Sequence, residues 1–117
     1  MMAEQNVIKV NSLGPVCLLD VHGDVTAASE PFFNSALTSL DFYKFKCVLL
    51  GFKETTYINS GGIAVLIQLL VKAKQKNQQV GITGISDHFK KIFQMVGITK
   101  FAKIYESIED AVKEAGK

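Results

Sequence analysis

The feature that most constrains the fold is a strand-like run followed by a helix-like run in the middle of the chain. Residues 46–52 form a nearly continuous apolar run of strand length, which is typical of a central parallel strand covered on both faces. After a polar turn, residues 60–75 carry apolar side chains at helical spacing, most densely in the first half. A buried strand that leads into a buried helix predicts β-α-β connectivity, and therefore an α/β domain.

The rest of the chain continues this alternation. Strand patterns at 6–10 and 16–21, separated by a turn at 11–15, predict an antiparallel hairpin, and further strands are predicted at 79–84 and 101–105. Helices are predicted to start near Ser29, with this serine as the cap, and near Ser86 and Ser107. We therefore predict a single domain, residues 1–117, with a four- to five-stranded mixed β-sheet and about four α-helices.

Composition narrows the classes of function. All thirteen basic residues are lysine and the net charge is only +2, which argues against nucleic-acid binding because arginine forks are the usual means of reading bases and phosphates. The N-terminus lacks the pattern of a signal peptide, and the apolar stretch at 61–71 is too short to span a bilayer. We expect a cytoplasmic protein with no membrane partner. Cys17 and Cys47 are expected to be buried free thiols.

The sequence contains none of the common motifs for catalysis, cofactor binding or metal binding. Gly61 and Gly62 lack the lysine and the spacing of a phosphate-binding loop. His22 and His88 have no ligand-type neighbour at metal-binding spacing, and the residues around Ser60 do not form the nucleophile elbow of hydrolases. The sequence therefore predicts no catalytic, cofactor-binding or metal-binding residue.

The turn before the central helix remains the most informative stretch. Ser60 stands where a helix N-cap is expected, and two glycines follow it. Each glycine in the first turn of a helix costs up to about 1 kcal/mol relative to alanine, so Gly61 and Gly62 need a compensating role. Two explanations are open: tight packing of this helix against the third strand, or close approach of another protein.

Four stretches carry a resemblance to a known family. They are residues 16–26 with their Gly-Asp-Val-Thr turn, residues 47–50, residues 57–66 and residues 92–98. Together they resemble the STAS domain, and within that group the anti-sigma factor antagonists of bacterial partner-switching systems. The serine and glycine that open the central helix are the most specific part of the resemblance.

The resemblance implies a function. In that family, the serine at the start of this helix is phosphorylated by a partner that is both a serine kinase and an anti-sigma factor. The unphosphorylated antagonist captures this kinase and frees the sigma factor, and a metal-dependent phosphatase of the PP2C type resets the system. By resemblance, the chain is a regulatory protein rather than an enzyme, it needs no cofactor, and Ser60 is its phosphorylated residue. The implied partner-binding residues are Gly23, Asp24, Thr26, Asn59, Ser60, Gly61 and Gly62.

One position departs from the family pattern. The family usually has aspartate where this chain has Asn59, which keeps a hydrogen-bonding group but lacks the charge. A second hypothesis is therefore a STAS protein outside sigma control, such as a stressosome-like or lipid-transport accessory subunit that is not phosphorylated. A third is a small enzyme or nucleotide-binding protein that uses the same helix N-terminus for an anion. We expect a monomer or a weak dimer.

Overall fold

A computed structural model of the chain describes residues 6–39 and 45–115. Within these residues one mixed sheet has the strand order β1-β2-β3-β4-β5. Strand β1 is antiparallel to β2, and the other neighbours are parallel. This confirms the predicted hairpin and mixed sheet. The strands are β1 (Val7–Leu13), β2 (Val16–His22), β3 (Cys47–Glu54), β4 (Gln79–Thr83) and β5 (Ala102–Ile104).

The helices cover the sheet unequally. Phe33 of the first helix, Leu66 of the second and Phe93 of the third pack into one core with alternate side chains of β2 and β3. The remaining alternate side chains face a smaller core, which the last helix closes with Ala111 and Ala115. Among the described residues, three helices thus lie on one face of the sheet and one lies on the other. They are α1 (Glu30–Ser39), α2 (Ser60–Gln75), α3 (Asp87–Met95) and α4 (Ile108–Ala115).

The central strand behaves as its apolar run predicts. Every residue of β3 from 47 to 52 is buried, because its side chains alternate between the two cores. The prediction of residues 60–75 as a helix is also confirmed, with six buried positions. Cys17 and Cys47 are buried and free, and because they belong to different cores they lie on opposite faces of the sheet. Within residues 6–39 and 45–115, no helix has the length and apolar character to cross a membrane.

Two element boundaries differ from the prediction. Strand β1 runs on to Leu13, since only Gly14 and Pro15 form the turn and Gly14 takes a positive φ of 62°. Ser29 is not a helix cap. Thr26 caps a short 3-10 turn (Ala27–Ser29) ahead of α1, and the Ser29 hydroxyl instead accepts a hydrogen bond from the Thr26 backbone N–H. The two residues form a reciprocal capping box.

Candidate functional site

The start of α2 is capped by Asn59, not by Ser60 as predicted. Asn59 has the extended backbone of an N-cap (φ −95°, ψ −178°), and its Oδ1 accepts a hydrogen bond of 2.9 Å from the N–H of Gly62. Ser60 is the first residue inside the helix. Asparagine and serine are both good N-caps, so the sequence alone did not show which of these two neighbouring residues caps the helix.

As a consequence, the Ser60 side chain is not needed to hold the helix. Ser60 is exposed, and its hydroxyl has no hydrogen-bond partner among the residues that the structure describes. A capping hydroxyl would be turned back toward the helix backbone. A free hydroxyl at the first helical position is instead accessible to another molecule.

Gly62 is required by packing within the chain. A Cβ atom at this position would lie 2.1 Å from the carbonyl oxygen of Val25, a distance that real Cβ atoms do not reach. Gly61 is less constrained, with its Cβ position 3.1 Å from the Cβ and the backbone N of Ala27. Because the two glycines have no side chain, the loop that precedes α1 can pack directly against the backbone of α2. Packing within the chain thus gives Gly62 a role, and the contact is with this loop and not with the third strand. Close approach of another protein stays a prediction.

The loop before α1 and the loop before α2 are tied together like two short strands. Val25 donates to the carbonyl of Tyr57 (2.9 Å) and accepts from the N–H of Asn59 (3.2 Å), and Val25 forms an isolated parallel bridge with Ile58. Both bridge residues are buried. The backbone at the start of α2 is therefore held rigidly on the side that faces the protein.

The predicted residues of the neighbouring loop lie beside this bridge. Gly23 turns the chain with a φ of 94° and donates its N–H to the carbonyl of Glu54. The carboxylate of Asp24 accepts a hydrogen bond of 3.1 Å from the Thr56 hydroxyl, which links the two loops on the outside. The Thr26 hydroxyl accepts from the N–H of Ala28.

The structure thus brings all seven predicted residues to one end of the molecule, where they have different environments. Gly62 is buried, Asn59 and Gly61 are half-buried, and Ser60 is exposed. We call the exposed part of this region the helix-start surface; it is formed by Gly23, Ala27, Ala28, Thr56, Tyr57 and Ser60.

Val25, Thr56 and Tyr57 were not predicted as site residues. The contacts of Val25 with Gly62 and of Thr56 with Asp24 join distant parts of the sequence and leave no local pattern. Tyr57 could have been noticed as an aromatic residue in a polar turn, and its side chain is 53% exposed.

The histidines and cysteines of the described residues lie apart from one another or are buried. They contain no group of three or more His, Cys, Asp or Glu side chains that could hold a metal ion. His22 contacts the carboxylate of Asp20 (3.1 Å), and the ring of His88 makes an edge contact with the ring of Phe89. Burial raises the pKa of the Cys17 and Cys47 thiols, so both favour the protonated form over the thiolate that binds metals.

Solved structures with this fold belong to proteins of several kinds. A Thermotoga maritima protein proposed to be an anti-sigma factor antagonist superposes with a TM-score of 0.80 at 13% identity, over 94% of this chain and 95% of its own. The Bacillus cell-fate determinant SpoIIAA in its phosphorylated form gives 0.69 at 11% identity, over 92% and 98%. A sulfate transporter family protein from Wolinella succinogenes gives 0.75 at 14% identity, over 87% and 85%.

These identities are low, so the superpositions establish a shared fold and no more. The family follows from the sequence itself, because the model of the STAS domain matches residues 7–111, which include both loops of the helix-start surface and all five strands. The chain belongs to the STAS domain family.

Proposed function

We propose that this chain is a regulatory binding protein of the anti-sigma factor antagonist type, controlled by phosphorylation of Ser60. In its unphosphorylated form it binds an anti-sigma factor that is also its serine kinase, and a phosphatase of the PP2C type restores this form. It works in the cytoplasm through protein partners, without direct contact with nucleic acid or membrane. The observation that carries the proposal is the free, exposed hydroxyl of Ser60 on a rigidly held helix start.

A phosphate on Ser60 is compatible with the folded domain. It would add about −1.5 to −2 charges at the N-terminus of a helix, where unpaired N–H groups and the helix dipole favour an anion. The first turn of α2 contains no acidic residue, so no side chain already supplies that charge. Phosphorylation therefore leaves the domain folded, and its effect has to arise at the surface.

The surroundings of Ser60 explain how a phosphate would block binding. Ala27, Ala28 and Tyr57 are exposed next to the helix start and offer small and aromatic contacts to a partner. A partner that covers this surface removes water from the Ser60 side chain. Burying an unpaired phosphate in such an interface is costly, whereas burying a neutral hydroxyl is not.

Asn59 in place of the usual aspartate is consistent with this role. Its side chain caps α2 through Oδ1, and asparagine and aspartate are about equally effective as N-caps. The substitution therefore preserves the geometry that places Ser60 at the first helical position. It removes a charge next to Ser60 and leaves the cap in place.

The test compares charge at position 60 with charge at another helix start. Ser60→Ala and Ser60→Asp are used as baits with candidate anti-sigma kinases of the host, and Ser86→Asp, at the start of α3, is the matched control. We expect Ser60→Ala and Ser86→Asp to retain the kinase and Ser60→Asp to lose it. Incubation of the wild type with the kinase and ATP should add the mass of one phosphate, and Ser60→Ala should gain none. Equal kinase binding by all variants would contradict the proposal.

A second candidate is a STAS protein outside sigma control that is never phosphorylated. The missing charge at Asn59 favours this candidate. So does the likeness to a sulfate transporter family protein, because the same fold also occurs in a protein that is not named as an anti-sigma factor antagonist. The same mass measurement separates the two candidates. A wild-type protein that gains no phosphate from any host kinase, and whose partners ignore the charge at position 60, would support the second.

A further inference from the structure

The two edges of the sheet are protected to different degrees. Strand β5 has three residues, and its central Lys103 is paired with Glu114 (2.6 Å), so this edge is short and charged. Strand β1 has seven residues, of which five are exposed. The exposed side chains include Val7 (54%) and Val10 (37%). A long edge strand with exposed valines is suited to pairing with another strand.

The hairpin geometry identifies the backbone groups that are available. Gly14 and Pro15 form a two-residue turn, and the flanking pair Leu13–Val16 is therefore hydrogen-bonded. Because such bonding alternates along an antiparallel strand, every second residue from Leu13 bonds to β2. Ile8, Val10 and Ser12 direct their N–H and C=O groups to the open edge, where no described residue pairs with them.

We infer that this edge pairs with β1 of a second copy of the chain, antiparallel and about a two-fold axis through Val10. In this register Val10 faces Val10 of the second copy, and Ile8 faces Ser12, so all the outward backbone groups of both strands are bonded. Lys9 faces Asn11 of the second copy, and Val7 faces Leu13. Apolar residues meet at both ends and at the centre.

The neighbouring registers are less favourable. Shifting the axis to Lys9 places two lysines directly opposite each other and pairs fewer of the outward groups. Shifting it to Asn11 leaves Val7 and Ile8 beyond the end of the other strand. The sequence of β1 is therefore complementary to itself in one register, which is why a second copy is the occupant that we assign.

The arrangement leaves the helix-start surface free. That surface lies near the Val7 end of β1, since Val7 pairs with His22 and Asn6 bonds to the backbone of Asp24. An antiparallel pair places the two Val7 ends at opposite ends of the dimer. Two partners can therefore bind at the same time, and charge at Ser60 should not affect dimerisation.

The dimer is measured by sedimentation equilibrium of the full chain over a range of concentrations. Pairing of two seven-residue strands buries less than the ~1,200 Å² of a standard interface, so a reversible, concentration-dependent dimer is expected. Val10→Lys places two like charges on the axis and should raise the dissociation constant at least tenfold. The matched control is Val71→Lys, because Val71 is 38% exposed and lies on α2, outside the edge strand. It should leave the dissociation constant unchanged.

The register is tested by disulfide formation between variants that each carry one added cysteine on β1. Lys9→Cys mixed with Asn11→Cys should give a cross-linked dimer under mild oxidation, whereas each variant alone should cross-link poorly, since Cys17 and Cys47 are buried. Ser60→Asp should dimerise like the wild type, which makes this test independent of the proposed function. A wild type that stays monomeric at every concentration, a Val10→Lys variant that dimerises like the wild type, or cross-linking independent of mixing would overturn the inference.

Discussion

Two helices of this domain start with the same capping pattern and differ in the residues that follow the cap. In α2 the Asn59 side chain accepts from the N–H of Gly62, and in α3 the Ser86 hydroxyl accepts from the N–H of Phe89 (3.2 Å). Each cap bonds three residues ahead, as N-caps do. The first helical residue after the cap is Asp87 in α3 and Ser60 in α2. The ordinary helix start thus has a carboxylate where the candidate site has a hydroxyl.

This difference indicates what phosphorylation would do to the structure. The carboxylate of Asp87 complements the helix dipole permanently. Ser60 leaves the same position of α2 neutral, and a phosphate there would supply the missing charge. The second difference is at the third helical residue. In α2 this residue is Gly62, whose backbone touches Val25, and in α3 it is a phenylalanine, Phe89. The start of α2 therefore has a neutral first residue and is fixed against a neighbouring loop.

The largest effect is expected from Gly62→Ala. The new methyl group would overlap the carbonyl of Val25, so either the loop or the helix must move, and overpacking of this severity costs about 3 kcal/mol of unfolding free energy. Gly61→Ala is the matched control, because its Cβ position is 3.1 Å from Ala27 and the better helix propensity of alanine offsets the crowding. Urea unfolding of both variants measures the difference. If the Gly62→Ala and Gly61→Ala variants were equally stable, the loop at Val25 would be able to move away from α2 at little cost, and it would not hold the helix start in place.

The role of Gly62 shows where sequence reasoning stops. The strands and the long helix were predicted because their signal, the periodicity of apolar residues, is local. The partner of Gly62 is Val25, which is distant in the sequence and is brought close only by the parallel pairing of β2 and β3. The sequence indicated that Gly62 needs a compensating role, but that role is a tertiary contact, which a local pattern does not reveal.

The cap residues show a different limit. Asn59 and Ser60 are adjacent and both suited to capping, and Thr26 and Ser29 are one turn apart and both suited to starting α1. In each case the sequence pointed to the second residue, whereas the structure caps α2 with Asn59 and caps the 3-10 turn ahead of α1 with Thr26. The choice depends on the extended backbone that the Val25–Ile58 bridge imposes on the two loops, which a local pattern does not contain. The seven predicted residues nevertheless lie together, because the order of strands fixes which loops are neighbours.

An intermediate effect is expected from removing the two caps. Asn59→Ala and Ser86→Ala each leave one N–H without its side-chain acceptor, and each should lower the unfolding free energy by about 1 kcal/mol. Each cap hydrogen-bonds only within its own helix start, so the double variant should show nearly the sum of the two losses. Ser60→Ala should have almost no effect by the same urea measurement. A loss from Ser60→Ala as large as that from Asn59→Ala would restore Ser60 as the cap and remove the free hydroxyl from the proposal.

The smallest effect is expected from exchanging the residues that distinguish the two helix starts. Ser60→Asp places a carboxylate at the first position of α2 and should stabilise the domain by about 0.3–1 kcal/mol at low ionic strength. Asp87→Ser makes the opposite change in α3 and should lose a similar amount, together with the weak contact of Asp87 with Lys90 (3.7 Å). Both differences should shrink as salt is raised, since they are electrostatic and exposed. Thermal unfolding in low and high salt measures them. If Ser60→Asp instead destabilised the domain, and salt did not change the loss, the start of α2 would be unable to accept an anion, and phosphorylation of Ser60 would have to act by disrupting the fold and not by blocking a surface.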